Sequence, residues 1–212
     1  MNRHKTLLPA AIATLALVLA GCGESAEDSG PSSTAGGGGA PGATQTAADE
    51  AHNDADTTFA QMMIVHHEGA IEMADLAVQQ AGSEEVRALG EDISAAQGPE
   101  IEKMKAWLGA WGEETAPAGG TGGMDHDDMD MGSMEMDGMN QQEAMAELQT
   151  LSGSDFDRRF LELMIAHHRG AVEMADAELQ DGRNPQALEL AEKIITDQEA
   201  EIATMEQLLQ NL

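Results

Sequence analysis

Three observations predict an all-α protein, an antiparallel four-helix bundle made from a duplicated helical hairpin. Residues 59–108 align with residues 160–209 without a gap, and 20 of the 50 aligned positions are identical. Both segments are rich in Ala, Leu, Met, Glu and Gln, which favour helix, and their apolar residues recur at intervals of three and four. No strand-like alternation of apolar and polar residues appears. Each copy is therefore expected to form two helices, and four such helices pack as a bundle.

The composition of the 212-residue chain excludes several classes of function. It has 39 acidic and 10 basic residues and a formal net charge of -29, so it lacks the basic face that nucleic-acid binding requires. We therefore expect no nucleic-acid partner. Aromatic residues make up 2% of the chain, which argues against base-stacking platforms. The single cysteine excludes an internal disulfide framework and cysteine-rich zinc or iron–sulfur sites.

Residues 1–22 are expected to be a lipoprotein signal peptide. Residues 2–5 are Asn-Arg-His-Lys, and an apolar run of ~14 residues follows, which suits a signal peptide and is short for a membrane span. The run ends in Leu-Ala-Gly-Cys22, which resembles a bacterial lipobox with Cys22 as the lipidated residue. The alternative is an ordinary secretory signal in which Cys22 is a bystander. We expect an extracytoplasmic protein held at the cell membrane through this lipid anchor alone.

The rest of the chain divides into a linker and two hairpins on either side of a connecting loop. Residues 23–54 are rich in Gly, Ser, Ala and Pro and are expected to be a flexible linker, because they cannot bury enough apolar surface. The predicted hairpins span residues 55–111 and 152–212. Ser83 and Asn184 are plausible N-caps, with Pro185 at the first helical position. Pro99 predicts a kink in the second helix.

The spacing of three and four predicts which residues face the core of each copy. In the first copy these are Phe59, Met63, His66, Ala70 and Met73, then Val86, Leu89, Ile93, Gln97, Glu100, Met104 and Trp107. In the second copy they are Phe160, Met164, His167, Ala171 and Met174, then Ala187, Leu190, Ile194, Gln198, Glu201, Met205 and Leu208. His, Gln and Glu interrupt the apolar pattern at matching places, and burying such a group without a partner costs about 1–3 kcal/mol.

Two hypotheses explain these buried polar residues. The first is a hydrogen-bond network from His66 to Glu100 and from His167 to Glu201, completed by the two glutamines. The second is a metal site of imidazole and thioether ligands, because a His-His pair with Met three residues before and six after occurs twice. Its candidate ligands are Met63, His66, His67, Met73, Met164, His167, His168 and Met174. His67 and His168 lie about 100° round from the core-facing positions, as second ligands or as residues lining the groove.

Copper suits imidazole and thioether ligands best, with Met favouring Cu(I) and Cu(II) remaining an alternative. A di-iron bundle uses Glu-x-x-His pairs, and neither histidine pair has a glutamate three residues before it. A di-iron oxidase is therefore disfavoured.

The segment 112–151 is expected to be an acidic, methionine-rich connecting loop. Residues 124–139 contain six Met, one His and six acidic residues. Exposed methionines at this density have no packing explanation, so the segment is interpreted as a flexible loop that captures copper. Its candidate ligands are Met124, His126, Met129, Met131, Met134 and Met136. The alternative is a low-complexity acidic linker.

The motifs Met-Ile-x-His-His-x-Gly-Ala-x-Glu-Met-Ala and Gln-x-x-Glu-Ile-x-x-Met, beginning at Met63 and Gln97 and repeated in the second copy, are similar to those of the domain of unknown function 305 family. The resemblance implies a ferritin-like four-helix bundle in a secreted protein or lipoprotein, with links to copper binding and tolerance. It also implies that Met104 and Met205 lie opposite the histidine motifs as further candidate metal ligands. The methionine-rich loop is not part of the family pattern.

The leading hypothesis is a membrane-anchored protein that binds copper for sequestration, buffering or tolerance. Its partners would be the metal ion and, as a candidate, a copper-handling protein. Binding rather than turnover is expected, because no Ser-His-Asp set, nucleotide loop or Glu-x-x-His pair is visible. The alternatives are a metal-dependent oxidase of ferritin-like type and a structural or interaction lipoprotein that binds no metal.

Overall fold

The computed structural model describes residues 51–116 and 136–212, and in these ranges the chain is helical without strands. The five helices are α1 (Asp54–Gln80), α2 (Glu84–Trp111), α3 (Gln141–Leu148), α4 (Gly153–Asp181) and α5 (Pro185–Asn211). The predicted all-α class is confirmed. Within the described ranges, none of these helices combines the length and the apolar character that crossing a bilayer requires. The predicted signal peptide with Cys22, and Met124, His126, Met129, Met131 and Met134 of the loop, lie outside the described residues.

The four long helices form two hairpins whose ends have the predicted caps. α1 packs against α2, α4 packs against α5, and α1 and α4 pack against each other. Ser83 accepts a hydrogen bond from the backbone of Val86 at the start of α2, and Asn184 caps α5, whose first residue is Pro185. These three predictions are confirmed. α2 continues as one helix through Pro99.

The predicted loop and linker both contain folded residues. α3 lies inside the segment 112–151, so the prediction of a loop is wrong there. Asn140 and Glu143 form a capping box at the start of α3, and Ala144 and Leu148 are its buried residues. At the other boundary, Asn53 caps α1 from within the predicted linker. A side-chain cap and a few buried contacts are enough to order these short segments.

Two aspartates at equivalent positions tie each hairpin to the turn of the other. Asp157 in α4 accepts hydrogen bonds from the backbone N–H groups of residues 82 and 83, both at 2.8 Å. Asp56 in α1 accepts from those of residues 183 and 184, at 2.9 and 2.8 Å. Charged acceptors of this kind form strong hydrogen bonds with backbone amides, and the two braces fix both turns of the folded part.

The second brace contains an additional acid. Glu178 is buried beside Asp56, and burial together with the hydrogen bond to Asp56 raises the pKa of Glu178 to about 8. Although burial opposes it, hydrogen bonds from Glu178 and from the turn amides hold the pKa of Asp56 below its usual value. The two carboxyl groups therefore share one proton near neutral pH. The position equivalent to Glu178 in the first copy is Ala77, so the pair occurs at one turn.

Replacing Glu178 by Gln should remove a pH dependence of stability. The folded parent keeps a proton on Glu178 that the unfolded chain releases above pH 4.5, so its free energy of unfolding falls as pH rises from 4.5 towards about 8. We expect the free energy of unfolding of Glu178→Gln to be close to that of the parent near pH 4.5 and higher than that of the parent near pH 8. Denaturant unfolding over this range measures it, with Glu173→Gln on the exposed face of α4 as the control. Parallel curves for the parent and Glu178→Gln would contradict the assignment.

Candidate metal centre

The four histidines of the two motifs meet in the core between α1 and α4. His66 and His67 belong to α1, His167 and His168 belong to α4, and all four are buried. The ring centroids of His66 and His167 lie 3.6 Å apart with 42° between the ring planes. Because these two residues occupy equivalent positions in the copies, their contact marks a pseudo-twofold axis through the protein.

The predicted core-facing positions are buried with three exceptions. Met174, Glu201 and Leu208, all in the second copy, are partly exposed. The sequence therefore identified the interior face of each long helix correctly, including the buried positions of His66, His167 and Gln97.

The predicted hydrogen-bond network is wrong in its pairing. Nε2 of His67 lies 2.9 Å from Oε2 of Glu100, and Nε2 of His168 lies 2.6 Å from Oε2 of Glu201. The second histidine of each motif thus pairs with the glutamate, because the first is turned towards the other hairpin. Consecutive helical residues differ by about 100° in direction, which directs His67 and His168 to the second helix of their own hairpin.

The glutamates determine which imidazole nitrogen is available as a ligand. A neutral imidazole that donates from Nε2 to a carboxylate keeps a lone pair on Nδ1. The Nδ1 atoms of His67 and His168 are buried, and among the described residues they have no hydrogen-bond partner. Metal-binding histidines are typically oriented in this way, with a carboxylate on the far nitrogen. Glu100 and Glu201 are therefore positioned to orient the rings.

The first of these glutamates also forms an ion pair with the other hairpin. Nζ of Lys193 in α5 lies 2.9 Å from Oε1 of Glu100. Burial opposes ionisation, yet the hydrogen bonds from His67 and Lys193 lower the pKa of Glu100, so it is a carboxylate. Sequence reasoning missed Lys193, since a single lysine among the acidic residues of α5 does not indicate a partner on another hairpin.

The surroundings of His167 favour its uncharged imidazole. Burial, followed by the proximity of the other three histidines, places the pKa of His167 well below its usual value. An unprotonated imidazole is the form that binds a metal ion.

The buried amide of Gln97 and the side-chain oxygen of Gln198 form no hydrogen bond with a described residue, so the glutamines do not complete the network as predicted.

Six methionines of the four long helices lie in or against two apolar clusters on opposite sides of the histidines. The first cluster contains residues before His66 on α1 and residues after His167 on α4. The second contains residues after His66 on α1 and residues before His167 on α4. Met63 and Met104 lie in the first, with Met174 packed against it. Met164, Met205 and Met73 lie in the second. The two sets are equivalent positions of the two copies, so the duplication places three methionines on each side of the histidine cluster.

Met136 is buried, and its predicted exposure in the loop is wrong. It belongs to the second apolar cluster and pairs through its backbone with Met139 in a tight turn. Asp137 and Gly138 form this turn with positive φ angles of 55° and 77°. Arg159 of α4 binds Asp137 at 3.1 Å, which holds the turn against the helix. The methionine here has a packing role that composition alone did not indicate.

The described residues contain no group of three or more His, Cys, Asp or Glu side chains arranged to hold a metal ion. The imidazoles and carboxylates therefore do not form a preassembled site by themselves. A metal ion at this cluster would need thioether ligands or rotation of the rings that now touch.

Replacing His167 by Gln should reduce the acid sensitivity of the fold. Since the pKa of His167 is lowered in the folded state, the unfolded chain binds the proton more tightly, and stability is lost as pH falls below 6.5. We expect the free energy of unfolding to fall less steeply below that pH in His167→Gln than in the parent. Denaturant unfolding in an acidic pH series measures the difference, and equal slopes would show that His167 does not carry this effect.

Several solved structures are similar to this chain, and two of them are of DUF305 proteins. A DUF305 fragment from Deinococcus radiodurans is 32% identical with a TM-score of 0.64, covering 76% of this chain and 98% of its own. A candidate secreted DUF305 protein from Streptomyces coelicolor is 33% identical with a TM-score of 0.64, covering 74% and 93%.

A third similar protein, CopM, has been solved with metal. Its Cu(II)-bound form is 36% identical to this chain with a TM-score of 0.60, covering 74% of this chain and 96% of its own. CopM has also been solved in Cu(I)-bound and Ag-bound forms. No curated protein matches the chain. The profile of the domain of unknown function DUF305 matches residues 56–209, and the chain therefore belongs to the DUF305 family.

Proposed function

We propose that this protein binds copper outside the cytoplasm, for sequestration, buffering or tolerance, and that it acts by binding rather than turnover. The observation that carries the proposal is the pair of His–Glu contacts, one buried and one partly buried, beside the contact between His66 and His167. Each contact leaves a buried Nδ1 atom without a hydrogen-bond partner among the described residues. In the proposed site, the imidazoles of His66, His67, His167 and His168 and the nearby thioethers supply the ligands.

The chemistry of these groups favours copper, and Cu(I) in particular. Thioethers are soft ligands that select Cu(I), and imidazoles bind both oxidation states. The two sets of three methionines, which are Met63, Met104 and Met174 and then Met73, Met164 and Met205, lie on either side of the histidines. CopM, which is similar over nearly its whole length, is known in forms bound to Cu(II), Cu(I) and Ag, which supports a soft-metal cargo here.

The finer architecture and the location belong to the same proposal. The four long helices form a ferritin-like antiparallel bundle, and Cys22 carries the lipid that tethers it to the cell membrane. The methionines and His126 of the loop, outside the described residues, offer additional and weaker copper sites. A copper-handling protein would supply or receive the ion.

Titration of the mature protein with Cu(I) against a competing chelator should reveal at least one tight site that depends on the histidines. Replacing His67 and His168 by Gln should weaken it by more than about tenfold, because both oriented imidazoles are lost. Copper should also raise the melting temperature of the parent, since a ligand that binds the native state stabilises it.

The matched control for this titration is His52→Gln, which removes a partly exposed histidine beside Glu113, away from the cluster. Circular dichroism confirms that each variant remains helical. Replacing Met124, Met129, Met131 and Met134 by Leu should lower the number of weaker sites and leave the tight site intact. If the double histidine variant binds as the parent does, the assignment of the site is wrong. If the parent binds no copper, a structural role for the polar core remains.

Replacing Cys22 by Ser in the full-length chain should release the protein from the membrane fraction, because acylation of that thiol is the proposed anchor. Cell fractionation and mass spectrometry of the mature N-terminus measure this outcome. An unmodified N-terminus in the parent, or retention of the Cys22→Ser protein at the membrane, would contradict the lipoprotein assignment.

A further inference from the structure

The histidine cluster has a first half, His67 with Glu100, and a second half, His168 with Glu201. The two halves have the same His–Glu pair but differ in one neighbouring charge. Lys193 in α5 and Asp92 in α2 occupy equivalent positions of the duplication. Lys193 forms an ion pair with Glu100 of the other hairpin, whereas Asp92 carries the opposite charge and is exposed. The copies therefore keep the pairs His67–Glu100 and His168–Glu201 and reverse the charge at the position that covers one of them.

The first half is covered by the lysine. Both oxygens of Glu100 are engaged, Oε2 by His67 at 2.9 Å and Oε1 by Lys193 at 2.9 Å. The side chain of Glu100 is 10% exposed, and Asp197 holds the same ammonium group at 2.5 Å. A cation that approaches His67 from this side is repelled by the ammonium group of Lys193 and must displace that group from the carboxylates of Glu100 and Asp197.

The second half has no such cover. The side chain of Glu201 is 23% exposed, and His168 is the only described residue with which it forms a hydrogen bond or ion pair. Behind this carboxylate lies the fully buried His168, whose Nδ1 has no hydrogen-bond partner among the described residues. The partly exposed carboxylate of Glu201 attracts a cation, and the lone pair on Nδ1 of His168 behind it can then bind that cation.

The methionines are also unequal between the two apolar clusters, each of which draws on both hairpins. Met136 adds a fourth buried methionine to the second apolar cluster, which already holds Met73, Met164 and Met205. Met205 lies one helical turn after Glu201 on α5, as Met104 does after Glu100 on α2. Of the described residues, no additional methionine is buried in the first cluster beyond Met63 and Met104. The second apolar cluster therefore holds more buried methionines than the first.

We propose that a soft cation, Cu(I) or Ag(I), reaches the histidine cluster through the second half, past Glu201 and His168, while Lys193 keeps the first half closed. This inference rests on the proposed function, because it assigns the route to the site described there. Asp92 and Lys193 are positioning residues: they set the electrostatic field on the two sides and need not contact the ion.

Stopped-flow measurement of Cu(I) transfer from a weak chromogenic chelator to the mature protein tests the route. Asp92→Lys should slow uptake by about tenfold at low ionic strength, because it places a positive charge on the open side. The slowing should diminish as salt screens the charge. Lys193→Ala should not slow uptake. In the charge-swapped variant Asp92→Lys with Lys193→Asp, uptake should recover towards the parent rate through the first half.

The matched control is Glu91→Lys, which makes the same change in net charge at the adjacent exposed position. It should slow uptake much less than Asp92→Lys does. Equal rates for Asp92→Lys and Glu91→Lys, or slowing by Lys193→Ala, would overturn the route and leave copper binding intact. A parent protein that takes up no Cu(I) at all would refute the proposed function and the route together.

Discussion

The buried contact between His66 and His167 is the constraint on which the arrangement of the site depends. Equivalent residues of two copies touch where the pseudo-twofold axis passes, so this contact fixes how the two hairpins face each other. Once the first histidine of each motif is turned towards the other hairpin, the second must face its own partner helix, because helical neighbours differ by about 100° in direction. The carboxylates of Glu100 and Glu201 meet His67 and His168 there, and the methionines fall on either side of the axis.

Under the proposed function, this arrangement would reconcile a packed helical core with a place for a metal ion. An uncharged imidazole buried with a vacant nitrogen costs stability, and each further polar ligand in the interior would need its own partner. Thioethers avoid this difficulty, because a methionine fills apolar space as other core residues do and still offers a soft sulfur. The described part of the chain has no cluster of three His, Cys, Asp or Glu ligands. Soft ligands in the apolar clusters are therefore the chemically consistent complement to the histidines.

Periodicity was sufficient to predict the helices, their caps and nearly all of the interior faces, because burial along a helix follows directly from spacing. Spacing does not fix the rotation of one helix against another, and so it paired Glu100 with His66 instead of His67. The Lys193–Glu100 contact joins residues 93 positions apart on different hairpins, for which the chain carries no local signal. For α3, a readable signal existed in Asn140 and Glu143, but the acidic, methionine-rich composition around it favoured a loop. The same composition concealed the packing of Met136.

Divergence between the copies has been compensated at one pair of positions and left uncompensated at another. Glu68 and Lys105 form an ion pair at 3.1 Å across the first hairpin, and their equivalents Arg169 and Glu206 form one at 3.0 Å with the charges exchanged. Such a double exchange preserves the interaction and leaves the local field balanced. Lys193 and Asp92 were exchanged without a matching change, since both copies retain glutamate at the partner position. The two His–Glu pairs consequently lie in different electrostatic surroundings, and a nearly symmetric fold acquires two chemically distinct sides.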